Sequence, residues 1–64
     1  MCESNAFFKK GAGEEELLMK DVNKLTPMPD GKLRLETILG DEKVVDGKII
    51  EIDFEGHKIL LGEK

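Results

Sequence analysis

Hydrophobic and polar residues alternate along most of this chain, in short runs divided by Gly, Pro and Asp. The cleanest run is Lys32 to Leu39, where Leu33, Leu35, Thr37 and Leu39 fall on one side and Lys32, Arg34 and Glu36 on the other. A period of two marks a half-buried strand, because successive side chains of an extended chain point to opposite faces. Over residues 3–10 the same period sets Ala6 and Phe8 against Asn5, Phe7 and Lys9. Further on, Ile50, Ile52 and Phe54 oppose Glu51 and Asp53, and Ile59 and Leu61 end the pattern. Another strand begins at Leu17-Leu18-Met19. Asp21 marks a bend in it, and Val22 and Leu25 continue it towards Pro27.

The breaks between these runs are chemically distinct. Gly11-Ala12-Gly13 is a permissive turn, and Pro27-Met28-Pro29-Asp30-Gly31 combines prolines that cannot donate ladder bonds with an Asp-Gly pair that accepts positive φ. Gly40-Asp41 and Glu55-Gly56-His57 read as turns, and Val44-Val45 opens another strand. Asp46-Gly47 reads as a bulge inside one long bent strand, since a small barrel needs such bends to close. A helical reading competes only over residues 14–25, where Leu17, Leu18, Val22 and Leu25 lie near one helical face; the strand reading is preferred there. The expected fold is all-β: a small, SH3-like, strongly bent antiparallel barrel of five to six short strands, with residues 1–64 as one domain.

Size changes how that fold is read. A chain of 64 residues buries only about 60% of its unfolded surface, so oligomerisation or a metal commonly adds stability. Open sheet edges invite pairing with a second copy. The single cysteine excludes an intrachain disulfide and fits a reducing cytoplasm. No apolar run is long enough for a membrane-spanning helix, and no positive–apolar–small signal segment opens the chain, so a cytoplasmic location is expected. The net charge of −4 works against a polyanion partner, and with no Trp or Tyr only Phe7, Phe8 and Phe54 offer stacking surfaces. Nucleic acid is therefore a disfavoured partner.

The candidate chemistry gathers at Cys2. The thiolate beside a terminal amine is a chelating pair. With Met1 removed, the Cys2 amine and sulfur close a five-membered ring. With Met1 in place, the Met1 amine, the Cys2 amide nitrogen and the Cys2 sulfur act together. Sulfur and nitrogen in a flat arrangement suit nickel(II) or copper(II) rather than magnesium or calcium. One chain offers too few donors, whereas two chains meeting on a two-fold axis supply a planar set of four. Copper(II) is the thermodynamic competitor in vitro, so selection depends on the metal the cell supplies. A Cys2–Cys2 disulfide dimer is the redox alternative, and a plain terminal thiol the bland one.

Rival sites are weak. His57 stands alone in a turn, without the partners of a zinc site. Glu14-Glu15-Glu16 reads as a solvated face, and Asp41-Glu42 and the Asp53/Glu55 pair lack calcium-loop spacing. No phosphate loop follows Gly11-Ala12-Gly13, and a terminal Cys2 paired with His57 makes a poorly positioned nucleophile. Enzymatic activity is not expected.

Several segments resemble one family. Met1-Cys2-Glu3-Ser4-Asn5-Ala6, Met19-Lys20-Asp21-Val22, Leu39-Gly40-Asp41-Glu42-Lys43, Ile50-Glu51-Ile52 and His57-Lys58-Ile59-Leu60-Leu61 together resemble the CooT family of small nickel-binding proteins. Most of these segments are structural; the Met-Cys start is the specific one. The resemblance implies an SH3-like barrel that forms a homodimer and holds nickel(II) between subunits through Cys2. It further implies a metallochaperone or accessory role, in some organisms in carbon monoxide dehydrogenase maturation, with a nickel enzyme or its maturation machinery as partner. An older label for the family, predicted RNA-binding protein, sits poorly with the acidic balance; a small RNA- or protein-binding module is the alternative function.

Overall fold

Six strands form one sheet in the computed structural model, which describes residues 3–64. They are β1 (Ser4–Lys10), β2 (Glu14–Pro27), β3 (Lys32–Thr37), β4 (Glu42–Asp46), β5 (Lys48–Asp53) and β6 (Lys58–Gly62). The order across the sheet is β4-β3-β2-β1-β6-β5. The all-β class holds, and residues 14–25, where a helix competed, lie within the long strand β2. Two features refine the expected barrel. The sheet is not closed, and β1 pairs with β6 in parallel, from Asn5↔Lys58 to Lys9↔Gly62, while the other ladders are antiparallel.

Most turns follow from local chemistry. Gly11 leads the β1–β2 turn with φ +58°. In the Pro27–Gly31 break the Met28 amide donates to the Lys32 carbonyl at 2.8 Å, the Gly31 amide to the Met28 carbonyl at 3.0 Å, and Asp30 Oδ1 accepts from the Lys32 amide. Between β3 and β4 the Thr37 hydroxyl accepts from the Asp41 amide at 3.2 Å, an ST-type turn that ends β3 at Thr37. Leu39, expected on the inner face of that strand, therefore lies in the turn and is 88% exposed. Asp53 Oδ1 accepts from the Gly56 amide at 3.0 Å and shapes the β5–β6 link.

The bend expected at Asp21 is present, with φ 59°. Ala6 pairs with Met19 but Ser4 with Val22, so β2 carries an extra residue opposite Asn5. A second irregularity separates Ala6↔Met19 from Phe7↔Leu17, and a third separates Val22↔Thr37 from Lys24↔Glu36. The three irregularities coil β2, letting its first half follow β1 and its second half follow β3.

At Asp46-Gly47 the structure differs from a simple bulge. The chain bends there, but β4 pairs with β3 and β5 with β6, so the bend joins the two opposite edges of the sheet. Gly47 is buried at this corner, where a Cβ would stand 2.5 Å from the Gly62 carbonyl oxygen and 3.2 Å from the Phe8 ring.

The curl encloses a small core of Ala6, Val22, Leu33, Leu35, Ile59 and Leu61, with Phe8, Leu18, Met19, Leu25 and Val45 packed against it. Among the described residues no charged or polar residue is buried, and no helix is long and apolar enough to cross a membrane.

Gly47→Ala forces its methyl group into the Gly62 carbonyl and is expected to destabilise the fold by about 1–3 kcal/mol, read as a lowered urea midpoint. Gly13→Ala, whose Cβ meets nothing within 4 Å, serves as the control and should change stability far less.

Candidate metal centre

Cys2, the metal ligand expected from the sequence, lies outside the described residues. What the structure places is the segment that leads to it. Glu3 and Ser4 are half-buried, and Ser4 opens β1, which runs between β2 and β6. Adjacent residues of an extended chain face opposite ways, and here they border two different grooves. Glu3 borders a groove of about 660 Å³ with Leu17, Met19, Ile38, Leu39 and Asp41. Ser4 borders one of about 210 Å³ with Leu25, Ile52, Phe54 and His57.

Asn5 is the first residue of β1 tied on both sides. Its amide donates to the His57 carbonyl at 2.9 Å, and its Oδ1 accepts from the Asp21 amide at 3.3 Å. The sequence pattern assigned Asn5 only to the outward face of its strand. Nothing in the sequence alone pairs Asn5 with Asp21.

The rival residues are occupied or dispersed. Among the described residues no group of three or more His, Cys, Asp or Glu is gathered to hold a metal. Glu15 Oε1 meets the Lys58 ammonium at 2.7 Å and Glu16 meets Lys10 at 3.5 Å, so two members of the acidic run serve ion pairs. The hydrogen bond to Glu15 is the main reason the Lys58 ammonium is held above its ordinary pKa; desolvation opposes it, and the charges of Glu15, Glu51 and Asp53 add to it. Glu42 pairs with Arg34 at 3.6 Å, and Asp53 is spent on its turn. His57 is an exposed turn residue with φ 54°, so its backbone oxygen has a visible role and its ring borders the smaller groove.

Lys10, Arg34, Lys58 and Lys64 each face a carboxylate. Phe7 lies under the Lys58 ammonium at 5.2 Å, Phe8 packs on the core, and Phe54 is 80% exposed. Three phenylalanines in three environments make no stacking platform.

The exposed apolar residues are more informative. Leu17, Ile38 and Leu39 are 51%, 60% and 88% exposed and border the larger groove beside Glu3. Ile49, Ile50 and Ile52 are also exposed on β5, an edge strand.

Known proteins share the sequence and the fold of this chain. The sequence profile of the family described as "CO dehydrogenase accessory protein CooT" matches residues 1–62. An uncharacterized protein of Methanothermobacter thermautotrophicus is 38% identical over 61 residues, 95% of this chain and 88% of that one. An uncharacterized protein of Archaeoglobus fulgidus is 40% identical over 43 residues, 67% of this chain and 93% of that one. A crystal structure of a CooT from Carboxydothermus hydrogenoformans superposes with a TM-score of 0.87 at 40% identity, over 98% of both chains. The chain belongs to the CooT family of CO dehydrogenase accessory proteins, and is an accessory protein rather than an enzyme.

Proposed function

We propose that this chain is a nickel(II)-binding accessory protein or metallochaperone, that the Cys2 thiolate anchors the metal, and that a homodimer completes the site. The observation that carries this reading is the family match, which spans residues 1–62 and so includes the Met-Cys start. Two structural facts support it. Among the described residues no other metal-ligand cluster exists, which leaves the N-terminal donors without a competitor. And Leu17, Ile38 and Leu39 form an apolar border beside Glu3, suited to seat a second copy near the metal end. A standard interface covers about 800 Å² per partner, roughly a fifth of the 4425 Å² this chain exposes.

Nickel is cargo in this reading. The thiolate takes nickel after losing its proton, nitrogen from the terminal amine or the Cys2 amide lies beside it, and the second copy repeats the pair. A planar set leaves the faces of the ion open to an incoming ligand, which allows transfer to a nickel enzyme or its maturation machinery. Copper(II) competes for the same donors in vitro. The cytoplasm, where free thiols persist, is the fitting compartment.

Titrating nickel(II) into the reduced wild type is expected to raise a sulfur-to-metal charge-transfer band that saturates at one metal per dimer by intact mass, while Cys2→Ser shows none. No band at micromolar protein would overturn the reading. RNA binding that falls with salt and survives Cys2→Ser would favour the binding-module alternative instead. Affinity should also fall with pH, by about tenfold per unit for each donor proton displaced, as read from repeated titrations between pH 8 and 6.

A further inference from the structure

We propose that Phe54 anchors self-association: each copy seats this ring in the smaller groove of the other, about a two-fold axis. The inference rests on the homodimer of the reading above and names a contact that holds it. The smaller groove lies where the curled sheet stays open, between the second half of β2 and the facing ends of β5 and β6. Val22 and Ile59 on its wall belong to the core, and Leu25 packs against that core. Ile52 pairs with Ile59 across the β5–β6 ladder, so the two share the core-facing side of the sheet. Ile59 is 7% exposed there, whereas Ile52 is 40% exposed. The core is therefore uncovered at this mouth.

Phe54 stands at the lip of the mouth, in the turn after β5, and is 80% exposed. The groove of about 210 Å³ has room for such a ring, since an apolar cavity of about 150 Å³ holds benzene. Knob and socket thus sit side by side on one chain. In a two-fold pair each knob meets the other copy's socket, so both are used in one closed contact.

Charge fits the same occupant. Asp53 and Glu55 flank Phe54, while Lys24 and His57 border the groove. Asp53 Oδ1 is taken by the Gly56 amide, and among the described residues neither Glu55 nor Lys24 makes an ion pair. Seating Phe54 in the opposite groove sets Glu55 of one copy against Lys24 of the other, twice per dimer. Two copies of net charge −4 repel at long range, so association calls for a local match of this kind. The two rings bury about 150–250 Å² each, roughly a quarter of a standard interface of about 1,600 Å². Phe54 is accordingly the anchor of a wider contact, not the whole of it.

The test uses the whole reduced chain as wild type, Phe54→Ala, Lys24→Glu, Glu55→Lys and the double reversal. Sedimentation equilibrium reads the dimer constant, without metal and with one nickel(II) per two chains. Phe54→Ala should weaken the dimer by about tenfold or more. Its urea midpoint, read at concentrations where both proteins are monomeric, should stay near wild type, because the ring lies outside the core. Each single charge reversal should weaken the dimer several-fold at low salt, and the double reversal should recover it. In dimers mixed from labelled and unlabelled chains, isotope-filtered NOEs should join the Phe54 ring to the Leu25 and Ile52 methyl groups. An unchanged dimer constant in Phe54→Ala, or the absence of those NOEs in a dimer, overturns the anchor and leaves the nickel reading standing. A wild type that is monomeric both with and without nickel overturns the homodimer itself, and leaves the groove to a side chain of another protein.

Discussion

The close approach of Gly47 to Gly62 is the constraint on which the remaining architecture depends. A sheet of six strands has two edges, and here consecutive strands β4 and β5 occupy both. The chain must therefore pass from one edge to the other within one residue, at Gly47, against the Gly62 carbonyl and the Phe8 ring. No side chain fits there. The corner draws the two ends of the sheet together without a ladder between them, and the curl this imposes brings Ala6, Val22, Leu33, Leu35, Ile59 and Leu61 into one core. β6 contributes the most completely buried run of the sheet, Ile59 to Gly62, because it lies beneath the corner and beside β1.

Joining the edges at one corner leaves them free elsewhere. β5 is exposed along its whole length, and its isoleucines would be an aggregation hazard on a flat strand. The edge is protected instead by a bulge at Ile50, between the pairs Ile49↔Leu61 and Glu51↔Leu60, and by Lys48, Glu51 and Asp53 spaced through it. Charged residues also line the larger groove, where Glu3, Lys20, Asp21 and Asp41 stand among the exposed Leu17, Ile38 and Leu39.

Period-two patterning made most strands legible, because a small one-sheet protein has to place one face of each strand on the core. The bend at Asp21 and the break at Pro27–Gly31 were legible for the same local reasons that form them. Other features depend on pairings that the pattern does not encode. Leu39 continues the alternation of β3, yet the Thr37 hydroxyl ends the strand first. The parallel β1–β6 ladder joins segments far apart in sequence, and Gly47 looks like any strand bulge until its two flanks are found on opposite edges. Cys2 is a candidate the sequence offers without any fold, because a terminal thiol carries its donor chemistry by itself. The ties of Asn5 are not offered in that way, because they exist only when Asp21 and His57 stand on either side of it.

The N-terminal segment enters the fold on β1, and this has a physical consequence for the proposed nickel reading. β1 is held by ladders on both sides, so the root of the N-terminal segment is fixed within the sheet from its first paired residue, Ser4. A site built inside the sheet would hold nickel with donors that cannot move apart without unfolding a strand. A site built on a loop would lack a defined direction, and two copies would meet in many ways. A segment that leads directly into a central strand has a fixed root, and a fixed root suits the proposed meeting of two copies at one ion.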